Sequence, residues 1–178
     1  RYCGKNILTL KNKNKVKILS KLIQNSKKPL LIIGNGIKQS NSETKLKKLI
    51  RKYKLPFLTT WACLDMFEFS NKLNAGTFGV AATRNGNFAV QESDLLIFLG
   101  ARLSPQLLGS NPSQFSPNSK KILIDIDKNE FKNHRLPKIT LKINEDVSKI
   151  LDELLKINLK TNNLENWIKK ISFLKKKF

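Results

Sequence analysis

The stretch that decides the fold is KPLLIIGNG, residues 28–36 of this 178-residue chain. It places a proline before four consecutive apolar residues and ends the run at Gly34-Asn35-Gly36. A short apolar run closed by glycine is typical of a strand that a parallel sheet buries on both faces. The stretch therefore predicts a short buried strand followed by a tight turn.

The residues after this turn extend the strand into a βαβ unit. Residues 40–42, Ser-Asn-Ser, are good helix caps, and the apolar residues that follow recur at spacings of three and four: Leu46, Leu49, Ile50 and Tyr53. Residues 55–60 then predict a second strand. Strand, glycine turn, helix and strand in this order imply a parallel sheet with a right-handed crossover.

The remaining elements follow from the same patterns. Helices are predicted at residues 13–24, 85–92 and 147–155, the second with Phe88 and Ala89 turned inward. Further strands are predicted at residues 95–99, 121–127 and 139–143. Stretches without a clear period predict loops at residues 61–79, with a short helical turn, and 104–119. The predicted fold class is α/β: a three-layer, Rossmann-like parallel sheet of about six strands with helices on both faces.

Length and composition fit one domain. A chain of 178 residues with 40% hydrophobic content can bury one sizeable core. Residues 1–14 are polar and predict a linker, residues 15–157 form the predicted domain, and residues 158–178 hint at one amphipathic helix through Trp167, Ile171 and Leu174. Neither an apolar run of membrane length nor the order of a signal peptide is present. We therefore expect a cytoplasmic protein without a membrane partner.

The net charge of +21 raises the alternative of a nucleic-acid-binding domain. Of the 34 basic residues, 29 are lysines and five are arginines, whereas base and phosphate recognition favours arginine. Lysine is spread along the whole chain, as on ordinary solvated faces. We therefore expect no nucleic-acid partner and keep a basic nucleic-acid-binding domain as a second alternative.

The sequence contains no recognisable catalytic set and no metal site. Cys3 and Cys63 lie far apart without His or Cys at ligand spacing, which predicts neither zinc nor a disulfide and leaves Cys63 as a buried thiol. His134 lies in a polar stretch that predicts a solvated loop. No Ser/His/Asp arrangement, paired carboxylates or phosphate loop ending in Lys-Ser or Lys-Thr occurs, so no catalytic residue and no metal ligand is predicted.

Three glycine-containing loops, together with aspartates near the end of a later predicted strand, outline a nucleotide pocket. In open parallel sheets, ligands bind where glycine loops leave the carboxyl ends of strands. Three such loops occur, at Gly34-Asn35-Gly36, at residues 76–79 and at Gly100-Ala101-Arg102. Asp125 or Asp127, at a later strand end, suits a ribose or ribityl hydroxyl, which donates to carboxylate. The alternative, that these glycines only permit tight turns, stays open.

The order of the motifs resembles the central domain of thiamine-diphosphate-dependent enzymes of the acetolactate synthase type. The resemblance covers roughly residues 19–156. The motifs, in order, are Lys28-Pro29 into Gly34-Asn35-Gly36, Leu55-Pro56 into Thr59-Thr60, Gly76-Thr77-Phe78-Gly79, Glu92-Ser93-Asp94 running to Gly100-Ala101-Arg102-Leu103, Ile124-Asp125-Ile126-Asp127, and Asp146. Each is weak alone, whereas their order is specific.

The resemblance implies a three-domain parent, a 2-oxo acid carboligase or decarboxylase, in which this domain is not itself catalytic. The flanking pyrimidine- and diphosphate-binding domains would hold thiamine diphosphate and magnesium, the cofactor carrying the chemistry while the protein positions it. Residues 158–178 would be the connector to an absent C-terminal domain. The parent would be a homodimer or homotetramer.

The resemblance also implies FAD in this domain, without a redox role in the main reaction. Carried over by position, the cofactor-binding residues are Gly34, Gly36, Thr60, Gly76, Gly79, Gly100, Ala101, Arg102, Asp125 and Asp146. The chain departs from the family where Ser104, Pro105 and Gln106 replace acidic and basic flavin contacts, and where Phe78 replaces a usual histidine. Two alternatives to FAD in this domain therefore stay open: a domain that binds no cofactor, or one that binds a different nucleotide. A different class of protein also stays open, namely a free-standing FAD-, NAD- or ADP-binding module.

Overall fold

The computed structural model describes residues 10–132 and 135–178, and it contains a six-stranded, all-parallel sheet. The strands are β1 (Pro29–Ile33), β2 (Phe57–Thr59), β3 (Asn74–Thr77), β4 (Leu95–Leu99), β5 (Lys120–Asp125) and β6 (Leu141–Asn144). Their order is β3-β2-β1-β4-β5-β6, and every neighbouring pair is parallel. This confirms the predicted α/β class and strand number.

Helices cover both faces of the sheet. They are α1 (Leu10–Asn25), α2 (Gly36–Gln39), α3 (Glu43–Tyr53), α4 (Arg84–Glu92), α5 (Pro105–Leu108), α6 (Val147–Lys156) and α7 (Glu165–Lys177). Apolar residues of α1, α3 and α6 form one core layer with Leu31 and Ile33 of β1, while α4 and α7 form the other with Leu30 and Ile32. Alternate side chains of a strand point to opposite faces, so an unbroken apolar run serves two layers at once.

One strand lies in a stretch that the sequence predicted to be loop. Residues 61–79 contain the expected short helical turn, a 3-10 helix at Trp61–Met66, but also the edge strand β3. The prediction of loop was wrong there because Asn74-Ala75-Gly76-Thr77 carries no apolar run. Its extended backbone is fixed by pairing with β2, where Phe57 lies opposite Asn74 and Thr59 opposite Thr77. Residues 104–119, also predicted as loop, contain the single turn α5 and a 3-10 turn at Pro112–Gln114.

Helix α4 is rotated relative to its predicted orientation. Ala89 is buried as expected, but Phe88 is 45% exposed and stacks on Phe178, with ring centroids 5.1 Å apart. The inward face consists of Asn85, Gly86, Ala89 and Val90, none of them aromatic, because the helix lies directly on β3. A phenylalanine two residues from Gly86 is about 200° away around the helix and faces outward.

Ser93-Asp94, directly before β4, has a structural role in this chain. The Asp94 carboxylate accepts hydrogen bonds from the backbone N–H groups of Lys27 at 2.7 Å and Lys28 at 3.1 Å, and from the Ser26 hydroxyl. Ser93 Oγ donates to the Lys28 carbonyl at 2.8 Å. These bonds join the α1–β1 turn to the start of β4 and so align the two central strands. Hydrogen bonds to a charged acceptor are among the stronger ones in proteins.

The two ends of the chain differ in how far the structure describes them. Most of the predicted linker, and Cys3 with it, lies outside the described residues, and residues 10–14 belong to α1. At the other end, α7 buries Trp167 and Ile171 in the core layer shared with α4, and Leu174 is buried as well. The division into linker, domain and connector stays a prediction. Within the described parts of the chain, no helix combines the length and apolarity needed to cross a membrane.

Candidate functional site

A cleft of about 870 Å³ opens at the carboxyl ends of the strands, where the chain order of the sheet reverses. From β1 the chain continues to β2 on one side, and β4 to β6 build the sheet on the other side. The loops after β1 and β4 therefore diverge and leave a crevice between them. Ligands of open α/β sheets bind at this kind of switch point.

The cleft contains eight of the ten predicted cofactor-binding residues: Gly34, Gly36, Thr60, Gly100, Ala101, Arg102, Asp125 and Asp146. Gly76 and Gly79 are not among its lining residues. Gly76 faces the side chains of Thr83 and Asn85, and both backbone polar groups of Gly79 bond the Asn87 amide, at 2.9 and 3.0 Å. The second glycine loop thus serves the contact between β3 and α4.

Three cleft glycines are required by the protein itself. A Cβ on Gly34 would lie 2.1 Å from the Gly100 carbonyl oxygen, and a Cβ on Gly36 would lie 2.8 Å from the Gly100 Cα. Gly100 has a φ of +56°, and the Gly36 N–H donates to its carbonyl at 3.0 Å. The loops after β1 and β4 touch backbone to backbone, a contact that leaves no space for side chains. These glycines are explained without any ligand.

Three aspartates line the β5–β6 side of the cleft, and each accepts a local backbone hydrogen bond. Asp125 Oδ1 accepts from the Asp127 N–H at 2.9 Å, Asp127 Oδ1 from the Asn129 N–H at 2.9 Å, and Asp146 Oδ1 from the Ser148 N–H at 2.8 Å. The last bond caps α6. The backbone N–H of Ile126 also interacts with the Asp125 carboxylate, whose remaining lone pairs can accept a hydrogen bond from a ligand hydroxyl.

Burial raises the pKa of Asp125 above its ordinary value, and the nearby Asp127 carboxylate acts in the same direction. A carboxyl whose folded pKa is raised contributes stability that is complete below its unfolded pKa and is lost as the pH rises through the folded pKa. The ionised Asp125 therefore reduces stability at neutral pH. A carboxyl group whose pKa is shifted by burial inside a cleft is a candidate binding residue.

We expect Asp125→Asn to raise the free energy of unfolding at pH 7, by up to about 0.5 kcal/mol for such a partly buried position. Urea denaturation across pH should show the gain shrinking to zero below about pH 4, where both side chains are neutral. Asp146→Asn is the control, since asparagine caps a helix about as well as aspartate, and it should give no gain. A neutral-pH loss of stability in Asp125→Asn would contradict the argument.

Arg102 is the one cation among the described residues that line the cleft, against three aspartates. Its side chain is 78% exposed and lies 3.4 Å from Glu130 and 3.9 Å from Asp127. Burial raises the pKa of Glu130, with Arg102 acting against that shift. Although the protein has a net charge of +21, the charged residues that line the cleft are mostly acidic. This distribution does not favour nucleic acid in the cleft.

Sequence reasoning missed several residues that the fold brings to the cleft. Asn35, Asp127, Ser104 and Gln106 were named from the sequence, and the additional lining residues are Gln39, Ser40, Asn41, Trp61, Ala62, Leu107, Ile126 and Val147. Trp61 stands out because its ring is 49% exposed. It lies in an aperiodic stretch, but its position two residues after the end of β2 is a signal, since the carboxyl ends of all parallel strands meet at the same edge of the sheet.

The residues of the cleft fit a nucleotide cofactor. The volume of about 870 Å³ lies in the range of known small-molecule sites. Asp125 offers a carboxylate oxygen for a sugar hydroxyl, and Arg102 offers an exposed guanidinium for a diphosphate. Within the part of the chain that the structure describes, the N–H groups of Ala101 and Arg102 have no hydrogen-bond acceptor. The cleft thus offers a hydrogen-bond acceptor for the sugar, and a cation and free backbone N–H groups for the phosphates of a nucleotide.

Other chemistry-bearing residues lie away from this cleft or outside the described residues. Cys63 is buried as predicted, and burial raises the pKa of its thiol. His134 lies outside the described residues. Across residues 10–132 and 135–178, no group of three or more His, Cys, Asp and Glu side chains is placed to hold a metal ion.

Comparison with known proteins agrees with this architecture. Residues 16–154 match the family model for the thiamine pyrophosphate enzyme, central domain. The chain is 36% identical over 152 residues to the acetolactate synthase large subunit of Porphyra purpurea. This alignment covers 85% of this chain and 25% of the relative. It is 31% identical over 157 residues to the isozyme 1 large subunit of Escherichia coli K12, covering 88% and 27%.

A third relative extends the match over nearly the whole chain. The probable acetolactate synthase large subunit of Methanococcus aeolicus is 32% identical over 188 aligned residues, covering 99% of this chain and 31% of the relative. The chain thus spans about a quarter to a third of the length of these relatives. The resemblance drawn from the motif order is confirmed, and the chain belongs to the thiamine pyrophosphate enzyme central domain family.

Proposed function

We propose that this chain is the central scaffold domain of an acetolactate-synthase-like, thiamine-diphosphate-dependent 2-oxo acid carboligase or decarboxylase, and that its cleft binds FAD. The observation that carries the proposal is the switch-point cleft, which collects eight residues that the family resemblance assigns to the cofactor. The names of the relatives support the parent activity, since all three are acetolactate synthase large subunits.

In this proposal the chain binds and positions but does not catalyse. Thiamine diphosphate and magnesium would be held by flanking pyrimidine- and diphosphate-binding domains of the same polypeptide, acting in the cytoplasm as a homodimer or homotetramer. FAD would be a structural cofactor of the cleft. Asp125 would accept a hydrogen bond from a ribose or ribityl hydroxyl, and Arg102 would pair with the diphosphate.

Because this chain lacks the charged flavin contacts that the family has after Arg102, Arg102 is the main candidate to bind the diphosphate. Ser104 and Gln106 line the cleft without charge, and Pro105 begins the single turn α5. The Gln106 carbonyl is engaged by the Val80 N–H at 2.8 Å. Because no second cation lies among the described lining residues, Arg102 would meet the diphosphate alone.

We expect Arg102→Ala to weaken FAD binding by about 10-fold or more, the usual range for a hydrogen bond to a charged group. Calorimetric titration of the purified chain with FAD measures the change. Arg84→Ala is the matched control, because Arg84 is exposed on α4, away from the cleft lining, and its loss changes the net charge equally. It should leave the affinity within about 2-fold. Equal losses in both variants, or no FAD binding by the wild-type chain, would overturn the cofactor assignment.

The parent activity and its rivals are tested separately. Formation of acetolactate from pyruvate by the full-length protein, dependent on thiamine diphosphate and magnesium, is expected. A nucleotide complex without that activity would instead favour a free-standing FAD-, NAD- or ADP-binding module. Retention of DNA or RNA at near-physiological salt would favour a basic binding domain, since binding through lysine falls steeply with salt.

A further inference from the structure

The two tryptophans of this chain lie in opposite environments. Trp167 is 2% exposed, and its indole N–H donates to the Pro29 carbonyl at 2.9 Å. Trp61 is 49% exposed on the wall of the cleft. Within the described residues its side chain has no hydrogen bond, no aromatic partner and no cation over its ring. A large aromatic side chain left half exposed in a concave site is a typical binding surface.

The backbone that carries Trp61 is held firmly at the end of β2. The N–H of the preceding Thr60 donates to the Ile33 carbonyl of β1 at 2.9 Å. Trp61 begins a 3-10 helix in which Cys63 is buried, with its N–H bonded to the Thr60 carbonyl at 2.9 Å. Asp65 of the same helix pairs with Lys38 of α2 at 2.6 Å. The ring is therefore presented by an anchored segment.

Trp61 and the aspartates lie on opposite sides of the switch point. Trp61 follows β2, whereas Asp125 ends β5, and β1 and β4 lie between these strands. Three strand spacings place the ends of β2 and β5 about 14 Å apart along the sheet. A dinucleotide, which carries two rings, is long enough to contact both walls of the cleft.

We propose that Trp61 stacks on a planar ring of the ligand and so selects a dinucleotide. In FAD, Asp125 would hold the ribose of the adenosine half, and Trp61 would stack on the flavin ring of the remote half. This inference rests on the proposed nucleotide binding and deepens it. Stacking is tolerant of ring identity, because every base or flavin has a π face. Trp61 is thus a positioning residue for the cofactor.

The test compares Trp61→Ala and Trp61→Phe in calorimetric titrations with FAD and with ADP. Loss of a stacking side chain weakens binding by about 10-fold or more, so Trp61→Ala should do this for FAD while Trp61→Phe stays within about 3-fold of wild type. ADP, which lacks the second ring, should bind both variants within about 2-fold of each other. Phe173→Ala, which removes a comparably exposed aromatic from α7, should leave FAD affinity unchanged.

Collisional quenching of tryptophan emission by acrylamide gives a second readout. Because Trp167 is buried, acrylamide should act mainly on Trp61, and a flavin stacked on Trp61 should itself quench that emission and so leave less of it for acrylamide to quench. Acrylamide-sensitive emission that FAD does not diminish, or an unchanged FAD affinity in Trp61→Ala, would overturn the stacking proposal while FAD binding that depends on Arg102 keeps the proposed function intact. If the wild-type chain binds no FAD, the proposed function fails and the inference fails with it.

Discussion

Gly86→Ala should destabilise the protein by about 4 kcal/mol or prevent its folding, although helix propensity alone favours alanine by about 1 kcal/mol. Gly86 lies in α4, and a Cβ there would lie 1.7 Å from the Thr77 carbonyl oxygen of β3. The obstacle is backbone, which cannot rotate away as a side chain would. The helix would have to lift off the strand, losing the burial of Ala89 and Val90.

Urea denaturation followed by circular dichroism measures this loss. Gly109→Ala is the control for a purely conformational effect: a Cβ there meets nothing within 4 Å, but the residue has a φ of 78° and a ψ of −177°. Such backbone strain costs about 1 to 2 kcal/mol. A Gly86→Ala protein as stable as wild type would show that α4 is not seated directly on β3.

Trp167→Ala is expected to reduce the free energy of unfolding by about 3 to 5 kcal/mol. The side chain is 2% exposed within the core layer that α7 and α4 form on the sheet. Its removal leaves a cavity and takes the indole donor from the Pro29 carbonyl of β1. An unsatisfied buried acceptor adds to the cost of the lost volume. The last helix would thus contribute to the stability of the domain rather than only connect it onward.

Thermal and urea unfolding of Trp167→Ala, Trp167→Phe and Trp61→Ala separate packing from binding. Trp167→Phe retains most of the buried volume and should lose less than the alanine variant. Trp61→Ala, at the half-exposed cleft position, should cost about 1 kcal/mol or less. If Trp167→Ala unfolds like wild type, α7 is dispensable, and residues 158–178 act only as the predicted connector.

The sequence by itself determined the central elements of this fold. The apolar runs of β1 and β4 predicted their strands closely, because a strand covered on both faces requires apolar residues at every position. The helical spacing of Val147, Ile150, Leu151 and Leu154 predicted α6 for a similar local reason, the burial of one helix face. The motif order was sufficient for the family, which the comparisons confirm.

The tertiary structure alone decided the features that depend on residues distant in sequence. Strand β3 exists through pairing with β2, Phe88 faces outward because Gly86 lies against Thr77, and Gly34 is required by the Gly100 backbone. The same holds for the cleft, which combines Trp61 with Asp125 and leaves out Gly76 and Gly79. Local periodicity reports which face of an element is buried, but it carries no information about the neighbour that buries it.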